Sequence, residues 1–153
     1  MNILHVSAEC YPVAKVGGLA DVVGALPKYQ NRIGHTAAVI MPYYKTSWVE
    51  HANGTIVFCH DLVIEGKTYF SEVIDVDNEL GFPLFVVRIT ELTDRKNVYG
   101  YEDDPLRFIA FQRVVLQWVL SLKRKLDIIH CHDHHTGFIP FMMQHCPEFD
   151  SLM

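Results

Sequence analysis

Ile3-Leu4-His5-Val6, then Lys15-Val16-Gly17-Gly18-Leu19, then Thr36-Ala37-Ala38-Val39-Ile40-Met41 set the reading of this chain. The first run is apolar apart from His5 and suits a buried central strand. The second holds adjacent glycines after Pro12 and marks a loop. From Leu19 to Tyr29 the spacing turns helical, with Leu19, Val22, Val23 and Leu26 on one face. Pro27 is expected to end or kink that helix, or to begin a second short one, and Gly34 closes the unit. The third run is a second strand, stopped by Pro42. Strand, glycine loop, helix and strand make a βαβ unit, the building block of parallel sheets.

Outward from this unit the pattern changes. Gly54–Glu65 and Lys67–Asp77 are β-rich runs around Gly66 and predict a hairpin. Phe82–Ile89 predicts another strand. Thr93–Asp104 is polar, contains Gly100 and reads as a loop. Pro105–Lys125 predicts a long, mostly apolar helix, with Pro105 as its first residue and Asp103 and Asp104 as cap candidates. Asp127–Cys131 predicts a buried strand, Phe138–His145 a helix, and Pro147–Asp150 a turn. No repeat, low-complexity tract or linker interrupts the 153 residues. The fold class is therefore α/β, a mostly parallel sheet with an inserted β-hairpin.

Bulk properties narrow the function classes. Half of the residues are hydrophobic (50%) and 20% are charged, a globular composition with a real core. A chain this long buries roughly 70% of the surface its unfolded form exposes. The formal charge of -5 argues against nucleic-acid binding, which wants a basic footprint. Cys10, Cys59, Cys131 and Cys146 form no Cys-x-x-Cys pair, so a zinc ribbon or thioredoxin motif is out, and free thiols in a reducing compartment are expected. The N-terminus reads as a strand with no signal-peptide pattern, and no apolar run reaches membrane-spanning length. A cytoplasmic location without a membrane partner is the expectation.

Candidate chemistry begins at Lys15. In open α/β sheets, ligands bind outside the carboxyl ends of the strands, where this loop lies. Gly17 and Gly18 let backbone amides approach a ligand, and the helix behind them offers unpaired N–H groups and partial positive charge. A cation and free amides at a helix start outline a diphosphate site. Asp21, in the first helical turn, stabilises that end or accepts a bond from a sugar hydroxyl. The Walker and dinucleotide patterns do not fit, because Lys15 precedes an adjacent glycine pair. Taken alone, the loop is equally an ordinary tight turn with a solvated lysine.

The segment His130-Cys131-His132-Asp133-His134-His135 invites a metal reading, since imidazole and carboxylate suit zinc. Compared with the H-x-H-x-D-H run of metallo-hydrolases, His134 stands where Asp is needed and Asp133 falls one residue early. The reading preferred is that Asp133 and His135 face the same crevice as Lys15, where a carboxylate orients sugar hydroxyls or balances positive charge on an anomeric carbon. His130 and Cys131 read as core residues, and His134 as a surface histidine. In Asn97–Asp104, Tyr99 suits sugar stacking, but a helix cap with surface tyrosines is the plainer reading. Arg107 is expected to form a surface pair with the acidic group there, worth little.

In combination, His5–Cys10, Ala14–Pro27, Val39–Tyr44, Tyr99-Gly100, Asp103 with Arg107-Phe108, and Ile129–Asp133 with His135-Thr136-Gly137 resemble the N-terminal domain of bacterial glycogen synthase and plant starch synthase. The resemblance runs nearly the whole chain, in order and at fitting spacings. It implies a Rossmann-like domain of the GT-B glycosyltransferase arrangement. The implied reaction transfers glucose from ADP-glucose, with UDP-glucose the alternative donor, to the non-reducing end of an α-1,4-glucan, with retention. No metal and no cofactor are expected. Carried over, Lys15 contacts donor phosphates, Gly17 and Gly18 shape the loop, and Asp133 is the active-site carboxylate; Asp21, Tyr99 and His135 line the cleft. His134 stands where the family usually has Trp, and Asp104 where Asn is common. The resemblance places the family's next strand, its His-Asn segment and its C-terminal nucleotide-binding domain beyond Met153. Residues 1–153 are then expected to be part of the N-terminal domain and inactive alone. The alternatives are a stand-alone glucan or nucleotide-sugar binding module and a metal-dependent hydrolase.

Overall fold

The computed structural model describes residues 1–153. The βαβ unit forms as read. Strand β1 (Asn2–Val6) leads through the glycine loop into helix α1 (Gly18–Arg32), and strand β2 (Thr36–Pro42) returns parallel to β1. Gly34 takes φ +93° at the reversal, a conformation that favours glycine. Val39 and Met41 pack on the α1 side of the sheet and Ile40 on the other, as strand alternation requires.

Helix α1 differs from the expected one in two ways. It runs through Pro27 to Arg32, and its buried residues are Ala20, Val23, Gly24 and Pro27, with Val22 exposed. Proline here deprives the Val23 carbonyl of its bond, but its ring is part of the buried face. That face consists of small residues because the helix lies close to the preceding loop: a Cβ on Gly24 would stand 2.6 Å from the Tyr11 carbonyl oxygen.

A short helix α2 (Ser47–His51), unmarked in the sequence by any long periodicity, is capped by the Thr46 hydroxyl, which accepts from Val49 N. Strands β3 (Gly54–Ile64) and β4 (Lys67–Val76) form the hairpin, turning at Gly66 with φ +77°. The hairpin is part of the main sheet, because β4 pairs antiparallel with β5 (Leu84–Ile89), which lies parallel beside β2. Helix α3 (Asp104–Ser121) then crosses the sheet to β6 (Ile128–Cys131), parallel to β1. The sheet order is β3-β4-β5-β2-β1-β6. Helix α4 (Phe138–His145) has the predicted limits and is followed by a 3-10 segment over Pro147–Leu152.

Strand β6 was expected to be buried. It lies at the sheet edge, and Ile128 is 40% exposed. An apolar run marks a strand but does not say how many neighbours it has. One apolar layer joins α3 and α4 to the sheet through Phe111, Val114, Val115, Trp118 and Ile139. A second lies on the α1 face around Val23, Val39, Met41, Leu84 and Val86. No helix is long and apolar enough to cross a membrane.

Candidate functional site

The strand order fixes where a site can form. The connection after β1 leads to β2 on one side, while β6 lies on the other. The crevice beyond the carboxyl ends of β1 and β6 is therefore the topological switch point of the sheet. Three loops meet there: Ser7–Gly17 after β1, the segment before α3, and His132–Gly137 after β6.

Glu9 ties the first two loops together. It is 4% exposed, its Oε2 accepts from Val16 N at 2.6 Å and Gly17 N at 2.9 Å, and its Oε1 accepts from the Tyr99 hydroxyl at 2.7 Å. The Tyr99 ring stacks on His135 with centroids 4.7 Å apart, and Phe108 meets His135 edge-on at the same distance. The path from the glycine loop through Glu9 and Tyr99 thus reaches His135, two residues from Asp133. Tyr99 is half-buried and not the surface side chain of the plainer sequence reading. Burial and the bond to Glu9 push its hydroxyl well above the usual tyrosine range.

The glycine loop holds its residues differently from the simplest phosphate cradle. The Gly17 amide is committed to Glu9. Gly17 is the N-cap of α1 at φ -136°, and no side chain caps that end. A Cβ on Gly17 or Gly18 would meet nothing within 4 Å, so neither packing nor backbone strain inside the chain demands glycine there. Lys15 is paired with Asp21 through Nζ distances of 2.6 and 2.7 Å to its two carboxylate oxygens. Asp21 therefore orients Lys15 and does not cap the helix. Both side chains are about half exposed (44% and 54%), so this pair is available for exchange with another anion.

Asp133 has φ 64° and ψ 178°. That region is costly for any residue but glycine, and strain of this kind gathers at functional sites. Its Oδ1 accepts from the His134 amide at 2.6 Å and faces His134 Nδ1 at 2.9 Å. These bonds, the backbone one first, lower its pKa. The His135 pKa is lowered too, but by burial, which favours the neutral imidazole. Its Nδ1 is buried without a hydrogen-bond partner. Beside it opens a cavity of about 430 Å³ whose lining includes Tyr99, Asp104, Phe108, Gln112, His135 and Phe138.

The histidines fall into two groups, His5-His130-His132 on the β1–β6 face and Asp133-His134-His135 in the turn beyond. The hydrolase reading, which joined His130 and His132 to Asp133, is thereby divided. Arg107 departs from expectation too. It is buried, 1% exposed, donates to the carbonyls of Leu92 and Val98, and pairs with Asp104. It fastens the Tyr99 loop from inside. Asp103 takes the N-cap position of α3, but no side-chain bond caps the helix: Asp103 binds Arg95, and Asp104 accepts from the Gly100 amide.

Sequence reasoning missed Glu9 as a site residue, along with Gln112. A carboxylate in the apolar run Ala8-Glu9-Cys10, immediately ahead of the glycine loop, was the available signal. Gln112 had none: its Oε1 accepts the first amides of α4, from Phe138 and Ile139, and this contact exists only in the fold.

The starch synthase catalytic domain family matches residues 2–153. The chain belongs to this family. It is 47% identical over 153 residues to glycogen synthase of Flavobacterium johnsoniae, covering 99% of this chain and 32% of that relative. It is 36% identical to glycogen synthase 2 of Geobacter metallireducens, covering 95% of this chain and 31% of the relative. Among solved structures, the catalytic domain of starch synthase IV from Arabidopsis thaliana, bound to ADP and acarbose, superposes with TM-score 0.87 at 32% identity, covering 99% of this chain and 31% of that one. The mixed, mostly parallel sheet matches the GT-B glycosyltransferase catalytic domain of starch synthase. The chain spans about a third of the length of these relatives.

Proposed function

We propose that this chain supplies one wall of the active site of a retaining glucan synthase. That enzyme moves glucose from ADP-glucose, or UDP-glucose, to the non-reducing end of an α-1,4-glucan. The observation that carries the proposal is the path Val16/Gly17–Glu9–Tyr99–His135, which holds the glycine loop and the Asp133 turn in one crevice. ADP and acarbose, bound by the Arabidopsis structure, are a nucleotide and a sugar of the classes this crevice would take.

The parts divide the work by charge. A diphosphate carries more negative charge than Asp21 and draws the Lys15 ammonium from it. With the Gly17 amide held by Glu9, the Gly18 amide and the positive end of α1 face the phosphate oxygens. Asp133, anionic at neutral pH, stabilises positive charge developing at the anomeric carbon. His135, neutral, offers its free Nδ1 to a sugar hydroxyl, and the Tyr99, Phe108 and Phe138 rings give the cavity apolar surface for a sugar face. The roles of Lys15, Gly17, Gly18, Asp21, Tyr99, Asp133 and His135, and the cytoplasmic location, all belong to this proposal.

The test joins residues 1–153 to the remainder of the Flavobacterium johnsoniae relative and measures glucose transfer from radiolabelled ADP-glucose to glycogen. Lys15→Ala is expected to raise the donor KM and lower kcat/KM by at least tenfold. Asp133→Asn is expected to lower kcat by on the order of a hundredfold or more, the scale of losing one transition-state electrostatic contact. Full activity in both variants sinks the site assignment.

A further inference from the structure

We propose that His5, His130 and His132 form a three-imidazole site for a divalent transition ion of the zinc class, fastening edge strand β6 to central strand β1. His5 is the cross-strand partner of His130, and His132 follows two residues on, so all three rings stand on one face of the sheet. Each offers one ring nitrogen, and these nitrogens lie within 4.8 Å of one another. His5 Nδ1 and His132 Nε2 are already 2.9 Å apart. A tetrahedral zinc ion with bonds of about 2.0–2.1 Å holds its ligand nitrogens about 3.3 Å apart. That pair needs to open by a few tenths of an ångström, and His130, on the outer strand, closes on it by turning its ring.

The surroundings favour ligation. Gln30 Oε1 accepts from His5 Nε2 at 2.7 Å, which leaves the lone pair of His5 Nδ1 directed at His132. An outer hydrogen bond that sets the tautomer in this way is the usual companion of a metal-bound imidazole. His5 and His132 are buried, at 0% and 7% exposure. In the metal-free protein His132 Nε2–H donates to His5 Nδ1. On binding, that proton moves to His132 Nδ1, so no net proton is released. Three imidazoles without thiolate or carboxylate suit zinc, copper or nickel and leave a fourth position for water. The glycine loop, Asp133 and the 430 Å³ cavity take no part.

The experiment titrates ZnCl2 into the tag-free, chelator-stripped chain by calorimetry and follows Tm. One zinc per chain is expected, with Tm raised by about 5 °C or more at a hundredfold excess of zinc over its Kd. His130→Gln should weaken binding at least tenfold with an unchanged circular dichroism spectrum, and His134→Gln should leave it intact. Zinc should also shield His130 from diethyl pyrocarbonate, read by mass spectrometry on the unmutated protein, which decides the matter even if His130→Gln disturbs the fold. Absence of saturable binding overturns the proposal. So does zinc affinity lost with His134→Gln and kept with His130→Gln, which would put the ion on the turn. Binding indifferent to both variants, with His130 still reactive, means an adventitious ion only and overturns it equally.

Discussion

The Tyr99 hydroxyl donates to Glu9 Oε1 at 2.7 Å, across 90 residues of sequence. The other oxygen of the same carboxylate accepts two amides of the glycine loop. Tyr99→Phe removes one bond to that carboxylate and keeps the stack on His135, at a cost of about 1.5–3 kcal/mol. Glu9→Ala removes the acceptor of two amides and the hydroxyl at a part-buried place, so three bonds are lost and the cost rises to about 3–5 kcal/mol. Urea denaturation of the two variants should give this order. Equal losses would mean that the amides find other partners and that Glu9 is not the tie between the loops.

The glycines offer a way to test the proposed donor binding apart from folding. A Cβ on Gly17 or Gly18 enters open space, whereas one on Gly24 meets the Tyr11 carbonyl oxygen at 2.6 Å. Gly18→Ala should leave Tm within a few degrees of the parent, since alanine is about 1 kcal/mol better than glycine in a helix. In the fused enzyme it should still raise the KM for ADP-glucose several-fold. Gly24→Ala should do the reverse, destabilising by about 1–3 kcal/mol through overpacking. A Gly18→Ala enzyme with unchanged donor KM would remove the reason for a glycine at that position.

Acid should weaken the fold through its buried histidines. His135 has its pKa lowered by burial first, then by His134, against the opposing pull of Asp133, Glu9 and Asp104. Above about pH 6.5, the ordinary histidine value, folded and unfolded chains both hold it neutral and its contribution is constant. Below that pH the unfolded chain takes up the proton first. Stability then falls with pH until the folded pKa is passed. His5 and His132 act with the same sign. Urea midpoints of chelator-treated protein should therefore drop between pH 7 and pH 5. His135→Asn should remove part of that slope, and an unaltered slope would mean that its ring is not desolvated.

The elements legible in the sequence were those whose signal is local. The β-rich runs on either side of Gly66 placed the hairpin, and Phe138–His145 was read as a helix at the limits α4 has. The reach of α1 through Pro27 was not legible, because the buried face of small residues reflects the nearness of Tyr11. Nor was the edge position of β6, which depends on sheet order and not on its own residues. The candidate site divides likewise. The positions of Lys15, Gly17, Gly18 and Asp133 beyond the ends of β1 and β6 were legible from residue type and pattern. Glu9, whose partners come from two loops, and the Lys15–Asp21 pairing were not.

Arg107 offers the sharpest stability test, because its sequence setting and its place in the fold point in opposite directions. Among Asp103, Asp104 and Glu102, an exposed pair would contribute at most about 1 kcal/mol. Instead the guanidinium is 1% exposed, pairs with Asp104 and donates to the carbonyls of Leu92 and Val98. Arg107→Ala leaves those acceptors and the Asp104 carboxylate without it, and should cost about 3–5 kcal/mol. Arg107→Lys keeps the charge but not the planar fork that reaches several acceptors, so it should recover only part of the loss. Both variants should also release the Tyr99 loop, seen as faster amide exchange at Asn97–Tyr101 than in the core of α3. A loss below about 1 kcal/mol for Arg107→Ala in urea denaturation would return Arg107 to the surface.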